Sequence, residues 1–524
     1  MRYFKKIKTA VKIKKQAGGN KEDETKAVLL SSLEKNLEQL KEMLGESSDV
    51  VIKEFRLGCN HSLKGALLCI DGLVSAELIS GGILKPLMYD TAYKLSVNNE
   101  CRLSFDSLNP VFVSVGETKT VTVTEDLLHD LLSGNTIILI DGSKEALTIS
   151  TRSWEKRGVE EPASENVVRG PRQGFTETLR TNTSMLRRII KNPNLRFESV
   201  IVGKQTKTDI VIAYIKDLVK PELIEEIKGR LKSVSTDSIL DSGYVEAYIE
   251  DSPYSIFSTM GYSERPDVVA GKMLEGRAAI IVDGSPTVLT APMVFIEQFQ
   301  TSEDYYIRTY FATYLRFIRL VSYFLTILAP ALYVAITTFH QELIPTSLLF
   351  TMTAGITGVP FPALVEALAM VITFDILKEA GIRLPKPIGS AISIVGALVI
   401  GESAVSAGII GPFMVIIVAI TAITSFVVPK EMDSTTVIRY MMLILAGFLG
   451  GFGIVMGLLA ILLYLVSLSS FGVAYLSPIT PLSREGMKDT FIRAPLWVML
   501  FRPKNIAGLN QKRRGKTTPE GSGQ

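Results

Sequence analysis

The sequence predicts an α/β amino-terminal region of two lobes followed by an all-α polytopic membrane domain, and two observations carry that prediction. Residues 1–316 mix charged and apolar positions as a globular chain does, whereas residues 317–466 are mostly apolar, with charges confined to short breaks. Within the apolar part, residues 388–428 run for 41 positions with Glu402 as their one formal charge. Because about 20 apolar residues span a bilayer, this run belongs in a membrane.

The composition of the front half indicates a cytosolic location. The chain begins with MRYFKKIKTAVKIKK, which carries seven basic residues but continues into polar sequence, so we expect no secretory signal. Cys59, Cys69 and Cys101 show neither metal-ligand spacing nor a disulfide framework, which favours a reducing compartment. The net charge of +3 conceals the difference between the two halves, and we expect no nucleic-acid partner.

Shifts in composition divide the chain into seven segments. The boundaries follow changes in charge, in hydrophobic periodicity and in the density of turn residues. The predicted segments are a basic tail and charged helix (1–48), lobe 1 (49–150), a linker and helix (151–198), lobe 2 (199–300), the membrane domain (301–466), an amphipathic segment (467–503) and a disordered basic tail (504–524).

Three Asp-Gly pairs mark the lobes. Apolar runs meet Asp-Gly at Asp71, Asp141 and Asp283. Asp-Gly supplies the positive φ angles of tight hairpins, so strand–turn–strand units are expected there. A second interpretation is a duplicated half-domain whose second copy ends near Ala291. In lobe 2 we also expect strands in SVIVGK, DIVIAYI and YVEAYI and a helix that begins at Pro221.

The membrane domain is expected to contain interrupted helices. Leu320–Phe339 is the first predicted span, and Thr346–Leu377 is long enough to cross but is interrupted by GITGVPFP. Residues 388–428 suffice for two helices joined near Gly411. The basic loop KEAGIRLPK (378–386) and the basic carboxyl terminus both favour the cytosol. For both to lie there, either residues 440–466 form a bent hairpin or another segment is re-entrant.

Signals for catalysis are missing from the sequence, so we expect no enzyme, no cofactor and no metal site. GKQTKTD (203–209) begins with Gly-Lys but lacks the form of a phosphate-binding loop. His61, His129 and His340 share no ligand spacing, and no nucleophile motif of the GxSxG type occurs.

Three membrane acids stand out because a charge at bilayer depth costs about 2.5–3.5 kcal/mol. Glu402 is either a cation site or gate partner, or an acid at a helix end. Glu366 follows Pro360 and Pro362 and so fits a first helical turn, where the helix dipole favours an acid. Asp375 is expected at the inner interface.

Small residues form a stripe in the apolar run. Ser390, Ser393, Ala397 and Gly401 recur at helical spacing, continuing to Ala404 and Gly408. The stripe indicates either close helix packing or a pore-facing surface in an oligomer. In the second case Val395, Leu398 and Val399 would form an apolar constriction that gates by dewetting. The predicted pore-region residues are Ser390, Ser393, Val395, Gly396, Ala397, Val399, Gly401 and Glu402.

Three long segments together resemble a known family. RGPRQGFTETLRTNTSMLRRII (169–190), SERPDVVAGKMLEGRAAIIVDGSP (263–286) and LKEAGIRLPKPIGSAISIVGALVIGESAVSAGIIGP (377–412) resemble the A subunit of the GerA-type spore germinant receptors. The resemblance covers about residues 50–485. It implies lobes like those of substrate-binding proteins, a pore-region helix in 388–410, and a conformational turn at Gly358, Pro360 and Pro362.

The resemblance also implies partners and a location. The partners are the germinant receptor B and C subunits, further copies of the chain, membrane lipid and monovalent cations, and the location is the inner membrane of the spore. The implied function is a nutrient-gated cation channel that triggers germination. A secondary transporter built from broken helices and a non-conducting scaffold subunit remain alternatives.

Overall fold

The computed structural model describes residues 28–57, 63–87, 117–153, 162, 165, 167–383, 401–508 and 512–513. The chain separates into two compact units, the first formed by residues 1–154 with 191–193 and the second by residues 155–190 with 194–524. The predicted division into a sheet-rich front half and a helical back half is confirmed, since all strands of the two larger sheets precede residue 292.

The first unit is a five-stranded sheet with the order β1-β2-β4-β5-β3. One face of the sheet packs against two amphipathic helices, whose buried leucines include Leu37 and Leu40 of α1 and Leu127 of α2. The predicted charged helix therefore belongs to the core of this unit. The elements are α1 (Leu33–Leu44), β1 (Val50–Leu57), β2 (Leu63–Ile70), a π-helical segment (Leu78–Leu84), β3 (Thr118–Val121), α2 (Thr124–Leu132), β4 (Thr136–Ile140) and β5 (Ala146–Ile149).

The second unit begins with a sheet of the same design, in the order β6-β7-β9-β10-β8. We call the part that surrounds this sheet lobe 2. Its elements are α3 (Leu179–Ile189), β6 (Leu195–Val202), β7 (Thr208–Ile215), α4 (Pro221–Ser233), α5 (Ser242–Ile249), β8 (Gly261–Ser263), α6 (Pro266–Met273), β9 (Ala278–Val282), β10 (Val288–Ala291) and a 3-10 helix (Phe295–Phe299).

Strand direction corrects the predicted fold class. Every pairing among the described strands of both sheets is antiparallel, so the lobes are α+β and not α/β. Tight Asp-Gly turns account for two of these pairings, β4 with β5 and β9 with β10, because such a turn returns the chain beside the preceding strand, whereas a parallel pair needs a long crossover. The turns at Gly142 and Gly284 have φ of 87° and 86°, as predicted from Asp-Gly.

The two sheets also share a local clasp, which supports the predicted duplication. Asp141 Oδ1 accepts from the backbone N–H of Leu33 at 3.0 Å, and Asp283 Oδ1 accepts from that of Leu179 at 3.1 Å. In both copies an asparagine side chain forms two hydrogen bonds with the backbone of the residue six positions earlier: its Oδ1 accepts from that residue's N–H, and its Nδ2 donates to that residue's carbonyl oxygen. These pairs are Asn36 with Leu30 and Asn182 with Thr176.

One predicted strand is a helix, and the helix predicted in the linker belongs to the core of lobe 2. YVEAYI was expected to be a strand but lies in α5, where the Asp241 side chain accepts from the backbone N–H of Gly243 and caps the helix. Val245 and Ile249, four residues apart, are buried on one helical face. The helix predicted in the linker is α3, and its apolar side chains pack in the core of lobe 2.

The helical part of the second unit follows lobe 2. Among the described residues, α8 and α12 are long and apolar enough to cross a membrane, and α9 and α11 are shorter apolar helices. Residues 401–406 are also helical. The elements are α7 (Glu303–Tyr306), α8 (Thr309–Thr338), α9 (Thr346–Ile356), α10 (Ala363–Arg383), α11 (Pro412–Ser425), α12 (Met432–Ser467), and two short strands, β11 (Ser469–Ser470) and β12 (Val473–Ala474).

Helix α12 is a hairpin of two arms that bends at Gly450. Gly450 has φ 61° and ψ −142°, which is not helical. A Cβ added to Gly457 would lie 2.6 Å from the sulfur of Met442, although 15 residues of straight helix would separate them by roughly 22 Å. The backbone N–H of Gly451 donates to Nε2 of His340, just beyond the end of α8. Of the two predicted solutions for residues 440–466, the structure has the bent hairpin.

Both ends of the α12 hairpin meet lobe 2. At its start, the Ser434 hydroxyl donates to the carbonyl oxygen of Ile256 at 2.9 Å. Just after its end, the Ser470 hydroxyl donates to the carbonyl oxygen of Thr259 at 2.6 Å. The two arms therefore begin and end on the same side as lobe 2.

The carboxyl-terminal segment also packs on lobe 2. Residues 504–508 were expected to begin a disordered tail, but the backbone N–H of Gly508 donates to the carbonyl oxygen of Leu218 at 2.7 Å. Ile506 and Ala507 are buried. The difference arises because these two apolar residues are buried by segments that are distant in the sequence, and sequence periodicity does not show such contacts.

Candidate functional site

The predicted pore region is only partly described. Ser390, Ser393, Val395, Gly396, Ala397 and Val399 lie outside the described residues. Gly401 is buried and Glu402 is exposed in the helical residues 401–406. Among the three membrane acids, the protein interior buries Glu366 and leaves Glu402 at the surface.

The predicted conformational turn contacts a second chain reversal. Gly358 has φ 104° between α9 and α10, and Pro360 and Pro362 are exposed beside it. Glu366 lies in the first turn of α10, as predicted, and is 2% exposed. Its carboxylate accepts from the backbone N–H of Gly411, which precedes α11. One acid thus stabilises two helix amino termini and joins the two reversals.

Asp375 has a partner that the sequence did not reveal. Its two carboxylate oxygens accept from Nη2 of Arg439 at 2.9 and 2.7 Å. The Tyr440 hydroxyl donates to the same carboxylate at 2.7 Å. Arg439 lies in the first arm of α12 and is 2% exposed. The ion pair therefore fixes α10 to the base of the hairpin.

A second ion-pair cluster lies where lobe 2 passes into α8. Asp304 of α7 is fully buried, and its Oδ2 accepts from Nε of Arg316 at 3.0 Å. Nη1 of Arg319 lies 2.9 Å from Oδ1 of the same carboxylate. The two arginines follow Asp304 by 12 and 15 residues, and nothing in that spacing indicates that one aspartate binds both.

The carboxyl-terminal segment completes this cluster, which we call the junction cluster and define as Asp304, Arg316, Arg319, Asp489 and Tyr305. Nη1 of Arg316 donates to Oδ1 of Asp489 at 2.9 Å. The Tyr305 hydroxyl donates to Oδ2 of Asp489 at 2.8 Å. Burial raises the pKa of Tyr305 well above its ordinary value, so the phenol keeps its proton and remains a donor.

The chemistry of these clusters is structural coupling. Among the described residues, no group of three or more His, Cys, Asp or Glu side chains could hold a metal ion. Each of the buried arginines is matched by a carboxylate at ion-pair distance. Removing one partner of such a pair leaves a buried charge without compensation, which is costly, so each pair holds its two elements together.

Comparisons with known proteins give a consistent result. The family model described as Bacillus/Clostridium GerA spore germination protein matches residues 38–505. Spore germination protein KA of Bacillus subtilis (strain 168) is 45% identical over 94% of this chain and 90% of its own length. Spore germination protein GerLA of Bacillus cereus is 38% identical over 91% of this chain and 97% of its own length.

A solved structure is also similar to part of the chain. It is the crystal structure of the N-terminal domain of the A subunit of the Bacillus megaterium spore germinant receptor GerK3. The sequences are 38% identical, and the match covers 52% of this chain and 98% of the solved chain, with a TM-score of 0.42.

Proposed function

The chain belongs to the GerA family of spore germination proteins, and on that premise we propose that it is the A-type membrane subunit of a nutrient germinant receptor that triggers bacterial spore germination. The observation that carries the proposal is the 45% identity to spore germination protein KA over 94% of this chain. Identity at this level along nearly the whole length supports a shared role for the complete architecture. No catalytic role is part of the proposal.

The proposed membrane arrangement follows from helix length and contacts. We place α8 and both arms of α12 across the spore inner membrane, with the amino-terminal lobes in the cytoplasm. Each arm holds about 17 residues, or roughly 26 Å, which is close to the hydrocarbon thickness of a bilayer. Contacts of both hairpin ends with lobe 2 support a carboxyl-terminal segment on the same side.

In the proposed mechanism, a nutrient signal reaches the membrane helices through lobe 2. The junction cluster joins α7, α8 and the carboxyl-terminal segment, and the Asp375–Arg439 pair joins α10 to the hairpin. A shift of lobe 2 therefore acts on α8 and α12 together. We further propose that several copies assemble around a cation pathway formed by residues 388–410, with the receptor B and C subunits as partners.

Germination assays test the proposed role. A spore former that lacks its own copy of this gene should lose its response to one class of nutrient and regain it when the chain is restored. Co-purification with the encoded B and C subunits should accompany the rescue. A strain without the gene that germinates as the parent does with every nutrient would contradict the proposal.

Measurements of ion flux test the proposal that the receptor contains a cation channel. In liposomes that contain the purified receptor, a channel conducts, a transporter saturates with substrate and a scaffold gives no flux. Enlarging Gly396 or Ala397 should reduce cation release, and shrinking Val395 or Val399 should cause leak. Unaltered release in all four variants at normal protein level would remove residues 388–410 from the pathway.

A further inference from the structure

Lobe 2 carries an exposed aromatic turn between α5 and β8. The turn consists of residues 252–255, and the backbone N–H of Ser255 closes it by donating to the carbonyl oxygen of Ser252 at 2.9 Å. Pro253 and Tyr254 are its two central residues, and proline favours the first of these positions because its fixed φ matches the turn. We call this element the Tyr254 turn. The side chain of Tyr254 is 100% exposed, and that of Ile256, just after the turn, is 37% exposed.

The residue that follows Ile256 holds the Tyr254 turn in place. Phe257 is buried, and the centroid of its ring lies 5.9 Å from that of Phe295 and 6.4 Å from that of Tyr475. The backbone N–H of Phe257 also donates to Oγ of Ser255 at 3.0 Å. Because the backbone is already fixed, a contact made by the exposed side chains needs little further ordering of the chain.

The contacts of this region place the Tyr254 turn level with the base of the α12 hairpin. The carbonyl oxygen of Ile256 accepts from the hydroxyl of Ser434, which belongs to the first turn of α12, at 2.9 Å. The ring centroid of Phe257 lies 6.3 Å from that of Tyr464, which belongs to the last turn of α12. The first arm therefore begins, and the second arm ends, beside the Tyr254 turn.

Helix α5 shows which end of lobe 2 lies away from the hairpin. Just before the helix, Asp241 accepts from the hydroxyl of Ser285, in the Asp-Gly turn between β9 and β10. Just after the helix, Asp251 accepts from the backbone N–H of Phe471, which follows the second arm. The 8 residues of α5 span about 12 Å. Tyr244, in its first turn, therefore lies at the end of α5 away from the hairpin, although its side chain is also exposed.

The chemistry of the Tyr254 turn matches the interface between lipid and water. Residues 252–257, SPYSIF, contain no charged side chain, and the preceding Asp251 is paired with Arg230. Tyrosine has an apolar ring and a polar hydroxyl, and it is enriched where the headgroups of a bilayer meet the hydrocarbon. A surface without charge has no Coulomb attraction for anionic headgroups, so it is the polarity gradient of the interface that it matches.

We propose that Tyr254 and Ile256 insert into the headgroup level of the lipid bilayer and anchor lobe 2 to the membrane beside the base of the α12 hairpin. The partner is the phospholipid interface, with the phenol ring toward the hydrocarbon and its hydroxyl toward water. The inference rests on the membrane placement of α12 proposed above. Such an anchor fixes the height of lobe 2 relative to the bilayer, whereas the ion pairs fix its position relative to the helices.

Depth-dependent quenching of tryptophan fluorescence in the full chain tests the proposal. Trp154→Phe and Trp497→Phe remove the two native tryptophans, and one tryptophan is then introduced by Tyr254→Trp, Leu459→Trp or Tyr244→Trp. Leu459 is the membrane reference, because it is exposed about halfway along the second arm of α12. Tyr244 is the matched exposed tyrosine of lobe 2. Each variant is reconstituted in nanodiscs of phosphatidylcholine brominated either close to the headgroup or near the end of the acyl chain.

The Tyr254→Trp emission should shift to shorter wavelength and be quenched strongly by the shallow bromines and weakly by the deep ones. Leu459→Trp should show the reverse order, and Tyr244→Trp should be quenched by neither lipid. Ile256→Trp should repeat the Tyr254→Trp pattern, which keeps the test in place if one variant fails to fold. Absence of quenching in Leu459→Trp would overturn the membrane placement of α12 and the anchor with it. Quenching of Leu459→Trp together with unquenched Tyr254→Trp and Ile256→Trp would overturn the anchor alone, whether water or a protein then covers the turn.

Discussion

The bend of α12 gives the sharpest prediction, through the variant Gly450→Ala. Gly450 has φ 61° and ψ −142°, a region that is almost closed to residues with a Cβ. A Cβ built there would lie 2.8 Å from Cγ and 2.9 Å from Cβ of Phe339. The substitution therefore strains the backbone and also forces the end of α8 to move.

The expected loss of stability is the sum of the backbone strain and the overpacking against Phe339. Backbone strain of this kind costs about 1–3 kcal/mol, and overpacking costs about 1–3 kcal/mol. Together they predict a loss of about 2–6 kcal/mol in the free energy of unfolding. Gly229→Ala is the matched control, because Gly229 is inside α4 and an added Cβ meets nothing within 4 Å. The control should gain about 0.5–1 kcal/mol in stability.

The assay is unfolding of the purified full chain in mixed micelles, followed by the loss of helical signal as denaturing detergent is added. Gly450→Ala should unfold at a clearly lower detergent fraction than the wild type, and Gly229→Ala at an equal or slightly higher one. Equal midpoints for Gly450→Ala and the wild type would show that α12 does not bend at Gly450, and the hairpin would have to be abandoned.

Three further predictions use the same unfolding measurement. Asp304→Ala leaves Arg316 and Arg319 without their shared buried carboxylate and should cost about 3 kcal/mol, whereas Glu34→Ala, which breaks the exposed pair with Lys64, should leave the stability nearly unchanged; equal losses would mean that the junction cluster adds nothing. Glu366→Leu leaves the backbone N–H of Gly411 without its acceptor and should cost about 1–3 kcal/mol, with the exposed Glu379→Leu as a nearly neutral control, and a neutral Glu366→Leu would contradict the described contact. Burial raises the pKa of Glu431 to about 8, so the folded chain holds a proton that the unfolded chain releases near pH 4.5, and stability should fall by about 1.4 kcal/mol per pH unit between those values. Glu431→Gln should remove this part of the slope, and identical slopes in the wild type and the variant would rule out the buried acid.

Much of the fold followed from local pattern. Asp-Gly between apolar runs predicted the hairpins at Asp141 and Asp283, and proline at the first helical position predicted the start of α4 at Pro221. The same reasoning failed for YVEAYI, because a short run with two Tyr, one Val and one Ile fits a strand and a half-buried helix equally well. The Asp241 cap favours the helix and is itself local, because its side chain accepts from a backbone N–H only two residues later; an aspartate at this position was the signal that could have indicated the helix.

The candidate site was less accessible to such reasoning. The first-turn position of Glu366 was predictable because two prolines precede it, but its acceptor role toward Gly411 was not. Asp375 and Arg439 are 64 residues apart, and Arg316 and Asp489 are 173 residues apart. Nothing in the spacing of such residues indicates that their side chains meet.

The sequence by itself determined which segments are apolar enough for a bilayer and where turns must interrupt them. It also determined the family to which the chain belongs. Hydrophobic periodicity and turn chemistry are local, so a single sequence expresses them. Only the tertiary structure decided that both sheets are antiparallel, that α12 folds back at Gly450, and that the buried Asp304 binds both Arg316 and Arg319. These features depend on contacts between distant residues, which form only when packing and charge are satisfied throughout the chain.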